Sequence, residues 1–345
     1  MVEFRPLNVT SPSENILIIG PAWVGDMVMA QSLFNTLKQR NPHCLIDVLA
    51  PEWSFPLLER MPEVNRAIPM PLTHGRFGLK TRFRLGKQLR PSRYRQAIVL
   101  PNSWKSALIP FFAGIPLRSG FIGEARWGLL NDARALDRNR LSMTVQRFVA
   151  LALAVDAPPP SAYRFPKLEI GADLQGDVRK KFGISSSENI LALCPGAEYG
   201  PAKRWPATHF AEVARQKHRQ GWQVWLFGSD KDRAIAMQID DLSGGICRNF
   251  SGETTLAEAV DLLSLARAVV SNDSGLMHVA AALDKKVIAV YGSSDPGFTP
   301  PLHAEAVIID LKLDCSPCFK RECPLGHTRC LTEISPETIL GELAD

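Results

Sequence analysis

Four segments combine residue types that can do chemistry with spacings that place them where a strand gives way to a helix. The first is GPAWVGDMVMAQSLFNTL, in which Gly20 and Gly25 shape a loop and Asp26 stands where the helix should begin. A carboxylate there can take up a proton, or it can simply cap the helix, which the positive end of the helix dipole favours. The two glycines invite comparison with a phosphate-binding loop. Asp26 and Met27, however, occupy the positions where that loop needs Lys and Ser or Thr, and the third glycine of a dinucleotide fingerprint is missing. Nucleoside triphosphatase and nicotinamide chemistry therefore have no support here.

The second segment, CPGAEYGPAKRWPATHFAEVARQ, places Lys203 and Arg204 just before a helix expected to start at Pro206. Exposed amide groups together with the Lys203 ammonium suit a phosphate; a solvated basic pair is the plainer reading. In the third, ARAVVSNDSGLMHVAAAL, Asp273, Ser274 and Gly275 form the turn into an apolar helix, with Ser274 as N-cap and His278 one turn later on the same face. Such a turn lets a diphosphate approach the backbone, or is no more than a capped helix with a core histidine. The fourth, CSPCFKRECPLGHTRC, holds Cys315, Cys318, Cys323 and Cys330, four of the chain's seven cysteines. Four thiolates suit a structural zinc, with His327 as a substitute ligand, although the spacing is tighter than in common zinc ribbons; free or partly oxidised thiols are the alternative. The cluster is expected to be structural and to lie away from the other three segments.

These segments need a scaffold, and the hydrophobic pattern supplies one. Short apolar runs at Ile16–Ile19, Leu45–Leu49, Ala67–Ile68 and Ala97–Leu100 alternate with helical patterns and read as buried parallel strands. After Pro158–Pro160 the rhythm restarts at Ile190–Cys194, Gln223–Phe227, Ala268–Ser271, Lys286–Tyr291 and Ala306–Ile309. The expectation is an α/β protein of two doubly wound domains facing across a cleft: residues 1–165, with 1–14 a flexible extension, then 166–335, then a closing helix over 336–345 that could pack on either domain. A length of 345 residues agrees, at roughly 150 residues per domain.

Composition narrows the class further. Apolar residues make up 46% and charged residues 22%, which excludes disorder. The longest apolar stretches are too short and too rich in proline to span a bilayer, and the N-terminus does not read as a secretory signal, so a cytoplasmic location is expected. The net charge of +5 hides an asymmetry: residues 71–147 hold 15 Lys and Arg against Glu124, Asp132 and Asp137 alone. So basic a block is either a solvated face or a landing surface for a polyanion. No nucleic-acid module motif is present, which argues against a nucleic-acid partner.

Taken in order, GPAWVGD, CPGAEYGPAKRWP, FGSDKD, SNDSGLMHVAAAL and YGSSDP resemble the ADP-heptose:lipopolysaccharide heptosyltransferases over nearly the whole chain, and PNSWKSALIPFFAGIPLRSGF and AIPMPLTHG look like the type II rather than the type I branch. The resemblance implies a GT-B fold and inverting transfer of L-glycero-D-manno-heptose from ADP-heptose to the first heptose of the lipopolysaccharide inner core, heptosyl-Kdo2-lipid A. It implies no cofactor or catalytic metal. It matches the general base to Asp26, the phosphate-contacting lysine to Lys203 and the nucleotide motif to Asp273, Ser274, Gly275 and His278. Glu198 joins the donor side, and a ribose-holding acid falls at or near Asp232. The cysteine cluster departs from the family pattern. Lys105, Arg118 and Arg126 are the acceptor-side candidates, on the expectation that they are exposed, and peripheral contact with the inner membrane follows from a lipid-anchored acceptor. A sugar-nucleotide epimerase of the same architecture, or a sugar-binding protein without catalysis, is the alternative.

Overall fold

The structure is a computed structural model that describes residues 14–73, 75–185 and 189–344. Most of the extension expected over residues 1–14 lies outside the described residues, as does Asp345. The first sheet comprises β1 (Asn15–Ile19), β2 (Leu45–Ala50), β3 (Val64–Pro69), β4 (Gln96–Val99), β5 (Leu117–Phe121) and β6 (Asp132–Arg134). The second comprises β7 (Ile190–Cys194), β8 (Gln223–Leu226), β9 (Cys247–Asn249), β10 (Ala268–Asn272), β11 (Lys286–Val290) and β12 (Val307–Ile309). Their orders, β3-β2-β1-β4-β5-β6 and β12-β11-β10-β7-β8-β9, are the same doubly wound topology, and every pairing is parallel. Each central strand is apolar on both faces, as helices on both sides require.

The helices are α1 (Val24–Arg40), α2 (Phe55–Leu58), α3 (Leu79–Leu89), α4 (Leu108–Ala113), α5 (Thr144–Ala150), α6 (Ala172–Lys181), α7 (Ala207–Arg219), α8 (Arg233–Ser243), α9 (Leu256–Leu263), α10 (Gly275–Ala282), α11 (Arg329–Thr332) and α12 (Pro336–Glu342). Helix α1 is buried without a break from Met27 to Leu37, because it packs on its own sheet and on the second half of the chain at once. Its polar residues are consumed by that position. Gln31 exchanges hydrogen bonds with the backbone of Lys167 at 2.8 and 2.9 Å, and Ser32 donates to Arg164 O at 2.8 Å. One residue on, Leu168 N donates to Ala282 O at 2.8 Å, so the crossing segment is laced between α1 and α10. A buried bidentate pair between Arg60 and Asp261 ties α2 to α9 across the same junction. The closing helix α12 packs on α7 of the second half, with Ile339 and Leu343 entering its core, which decides the choice left open by sequence.

Candidate active site

Both sheets reverse their winding at the third crossover, which sets β4 beside β1 and β10 beside β7, and ligands of such sheets bind at the carboxyl ends there. The loop after β1 leads into α1, the loop after β7 carries Lys203, and the turn after β10 leads into α10. The amino ends of α1 and α10 meet across the domain junction, an approach that glycine alone permits. A Cβ on Gly25 would sit 2.5 Å from His278 Cδ2, and one on Gly275 would sit 2.7 Å from Val24 Cβ. We expect Gly25→Ala to force the two helices apart, costing about 1–3 kcal/mol and at least ~10-fold in turnover. Thermal melting together with steady-state rates checks this, and unchanged values for both would show that the junction is not tight.

Helix α1 begins at Val24, with Trp23 as its N-cap, so Asp26 lies inside the first turn rather than at the cap. The capping reading of Asp26 therefore falls away. Burial pushes its carboxyl up to about 6, and the neighbouring Asp273 carboxylate pushes in the same direction. The positive end of the α1 dipole, which by itself would hold a first-turn carboxyl low, is outweighed by desolvation and the like charge. Asp273 in turn holds the Lys203 ammonium at 2.5 Å. Two carboxylates from opposite halves of the chain and one ammonium thus share a site. His278, buried beside them, is pushed down to about 4 by desolvation against the pull of Asp273, so its ring is neutral at pH 7 and lies against Gly25.

At α10, Ser274 is the N-cap as expected, although its hydroxyl shares a hydrogen bond with Ser271 Oγ at 3.1 Å rather than with its own helix. Pro206 is the N-cap of α7 and not its first residue. The loop that carries Lys203 is clamped by Asn272, which donates to Pro195 O at 2.7 Å and accepts from Trp205 N at 3.0 Å. Asn272 was visible only as a neighbour of the Asp-Ser-Gly turn; its role needs the fold, since its two partners belong to a different strand exit.

The cysteine-rich segment does not stand apart from the site, contrary to expectation. Its backbone braces the Lys203 loop: Ala202 N donates to Arg321 O at 3.0 Å, Tyr199 Oη donates to Phe319 O at 2.8 Å, and Gly200 leaves no room for a side chain against Arg321 O. Lys203 and Arg321 both lie over the Tyr199 ring. The four thiols share a neighbourhood, since Cys330 is pushed up by burial and then by Cys315, Cys323 and Cys318. Among the described residues, however, no three His, Cys, Asp or Glu side chains are arranged to hold an ion, so the structural zinc gains no support. Replacing Cys315 and Cys318 by Ser should raise the KM for the donor by ~3-fold or more as the brace loosens. Donor titration checks this, and an unchanged KM in folded protein would show the brace to be independent of the thiols.

Two other donor-side candidates have partners of their own beside the Lys203 loop, Asp232 with Arg204 at 3.8 Å among them. Glu198 is exposed and pairs with Lys231 at 2.5 Å. Asp232 caps its own turn, accepting from Ser229 N at 3.0 Å and Ser229 Oγ at 2.7 Å, and lies against Gly196.

The family profile of "Glycosyltransferase family 9 (heptosyltransferase)" matches residues 82–329. The chain is 50% identical to "Lipopolysaccharide heptosyltransferase 2" of Salmonella typhimurium over 95% of its own length and 97% of that protein. The chain belongs to glycosyltransferase family 9. Among solved structures, that of E. coli ADP-heptose lps heptosyltransferase II superposes with a TM-score of 0.85 at 45% identity, covering 95% of this chain and 97% of that one. A family 9 glycosyl transferase from Veillonella parvula reaches the same TM-score at 19% identity and so shares the fold. The chain is therefore a glycosyltransferase with two doubly wound domains, and the epimerase and binding-protein alternatives are set aside.

On the other side of this glycosyltransferase's junction, two of the three acceptor candidates are structural. Arg126 is 1% exposed, and its guanidinium donates to Pro101 O at 2.6 Å and to Phe121 O, closing the loop after β5. Arg118 donates to Leu129 O and Ile115 O, both at 2.6 Å. Loop carbonyls draw these cations inward, so a count of basic residues overstates the positive surface. Lys105, after β4, is partly exposed and forms no ion pair among the described residues. Arg126→Ala should cost about 3–5 kcal/mol of stability while leaving the acceptor KM of folded protein unchanged. Chemical denaturation beside acceptor titration tests both halves.

Proposed function

We propose that the chain transfers L-glycero-D-manno-heptose from ADP-heptose to the first heptose of the lipopolysaccharide inner core, heptosyl-Kdo2-lipid A, with inversion, at the inner face of the inner membrane. The observation that carries this reading is the meeting of Asp26 from the first half with Asp273 and Lys203 from the second, at the point where both sheets offer their ligand-binding ends. The names and structures of the relatives support the substrates.

In this reading the acceptor hydroxyl gives its proton to the Asp26 carboxylate as its oxygen bonds to the anomeric carbon. The bond from that carbon to the diphosphate breaks on the opposite face, and ADP leaves with the electron pair. A base held near pH 6 is well matched to such a step, being ionised at neutral pH yet more basic than a solvated carboxylate. The diphosphate competes with Asp273 for Lys203 and also meets the backbone N–H groups at the start of α10. Lys203 is thus stored on Asp273 until a stronger anion arrives. His278, neutral, supplies a wall rather than a charge.

The test is to incubate the protein with ADP-heptose, with and without a truncated lipopolysaccharide acceptor. Acceptor-dependent ADP release with a gain of one heptose on the acceptor is the expected result. A donor altered without transfer would point to an epimerase, and binding without release to a carrier.

A further inference from the structure

One face of the first domain is left unexplained by the chemistry above. Between Val64 and Gly123 the chain has 11 Lys and Arg and no acidic residue at all. Three of them are spent inside the fold, Arg66 on Asp47 and Arg82 and Arg118 on backbone carbonyls. Helix α3 points Leu79, Phe83 and Lys87 in one direction at intervals of four, with Lys80 and Arg84 alongside, and all five are exposed. Around them, Phe77, Trp104 and Phe111 also face outward, so five large apolar side chains in this region are each between 39% and 46% exposed.

These residues form one surface. Phe77 and Trp104 meet at 5.1 Å with their rings tilted, Phe83 meets Phe112 at 5.2 Å, Phe112 meets Phe111 at 5.8 Å, and Lys87 lies over the Phe83 ring. Gly86 lets α3 lie directly on α4, where a Cβ would come within 2.6 Å of Phe112 Cβ. The two aromatic groups lie on the loops after β3 and β4 and, farther out, on α3 and α4.

Aromatic and aliphatic side chains set among Lys80, Arg84 and Lys87, with one acid, Glu124, held on Trp104 N at the inner end, fit a partner that is apolar just beneath an anionic surface. A second copy of the chain does not fit, because it would bring the same predominantly basic face against this one. We infer that the α3–α4 face seats the enzyme on an anionic lipid bilayer, with Leu79, Phe83 and Phe111 entering the headgroup region and Lys80, Arg84 and Lys87 holding lipid phosphates. The inference rests on the reading that the acceptor is lipid-anchored, and it adds the orientation: the rim at Phe77 and Trp104 lies nearest the membrane, so an acceptor sugar rising from the bilayer reaches Lys105 and Asp26 while its acyl chains stay in place.

The experiment is flotation of the full chain with vesicles of phosphatidylethanolamine and phosphatidylglycerol, compared with phosphatidylcholine alone. Binding to the anionic vesicles at least ~10-fold tighter than to the neutral ones is expected, weakening as salt rises. Two variants divide the contributions: Lys80→Glu with Lys87→Glu, and Leu79→Ser with Phe83→Ser. Each should lose ~10-fold or more of vesicle binding while keeping its melting temperature and its turnover on a deacylated, soluble acceptor. Equal binding to both vesicle types, or full binding by the serine variant, would overturn the seat, the second outcome marking a purely electrostatic surface for some other polyanion. Loss of turnover on the soluble acceptor would also overturn it by assigning the face to the acceptor glycan. Because flotation needs no turnover, its result stands apart from any failure of the transfer assay.

Discussion

Asp26→Asn should lower transfer by ~10²-fold or more, leave ADP-heptose affinity near its original value, and make the protein more stable at neutral pH. The stability gain follows from the same cause as the chemistry. Folding moves the Asp26 carboxyl from its ordinary 3.8 up to about 6, so the folded state binds the proton more tightly than the unfolded chain does. The ionised side chain therefore destabilises the fold above pH 6, by up to about 3 kcal/mol at 1.36 kcal/mol per unit, and the effect fades as pH falls from 6 toward 4. Asparagine has no charge to desolvate. Melting curves at pH 4.5 and 7.5 should show the variant gaining over the parent at the higher pH and much less at the lower. Near-parent turnover in the variant would mean that the base lies elsewhere.

Lys203→Ala should reduce turnover by ~10²-fold or more and weaken donor binding, because positive charge at the leaving diphosphate matters most as its charge develops. A second effect distinguishes this site from a generic phosphate contact. Removing the ammonium leaves the buried Asp273 carboxylate uncompensated beside Asp26, so the Asp26 carboxyl should climb further. The acidic limb of the residual activity then moves to higher pH. A variant that is slower but keeps the same limb would show that Lys203 acts on the donor without touching the base.

Much of this arrangement was legible in the sequence, and the misses have physical reasons. The buried strands β1, β2, β4, β7, β8, β10 and β11 stand out because parallel strands covered on both faces are apolar runs. Strands β6 (DAR) and β9 (CRN) have three residues each and only partial burial, and β5 (LRSGF) alternates too weakly to signal itself. At the site, Ser274 is the N-cap its type suggested, and the candidates Asp26, Lys203 and Asp273 were singled out by their place at strand-to-helix turns. What failed was everything set by distant neighbours. The direction of the Asp26 shift depends on Asp273, from the other half of the chain, and on burial by a helix that sequence does not place. Arg118 and Arg126 read as surface charge because their carbonyl partners are invisible without the loop that presents them. The cysteine segment was expected to lie apart, whereas the chain after β12 returns to the exit of β11, where Phe319 N donates to Ser293 O, and brings Phe319 and Arg321 under the Lys203 loop.

The central claim is that Asp26 is the base and that Asp273 helps to tune it. The most direct measurement is the pH dependence of kcat/KM for heptosyl transfer in the parent and in Asp273→Asn, compared by the position of the acidic limb rather than by absolute rate. The parent should lose activity as pH falls through about 6. In Asp273→Asn the limb should move to lower pH yet stay above the ordinary carboxylate range, since burial is the larger of the two causes and remains. A limb at the same pH in both proteins, or no acidic limb between pH 4 and 8, would contradict the account.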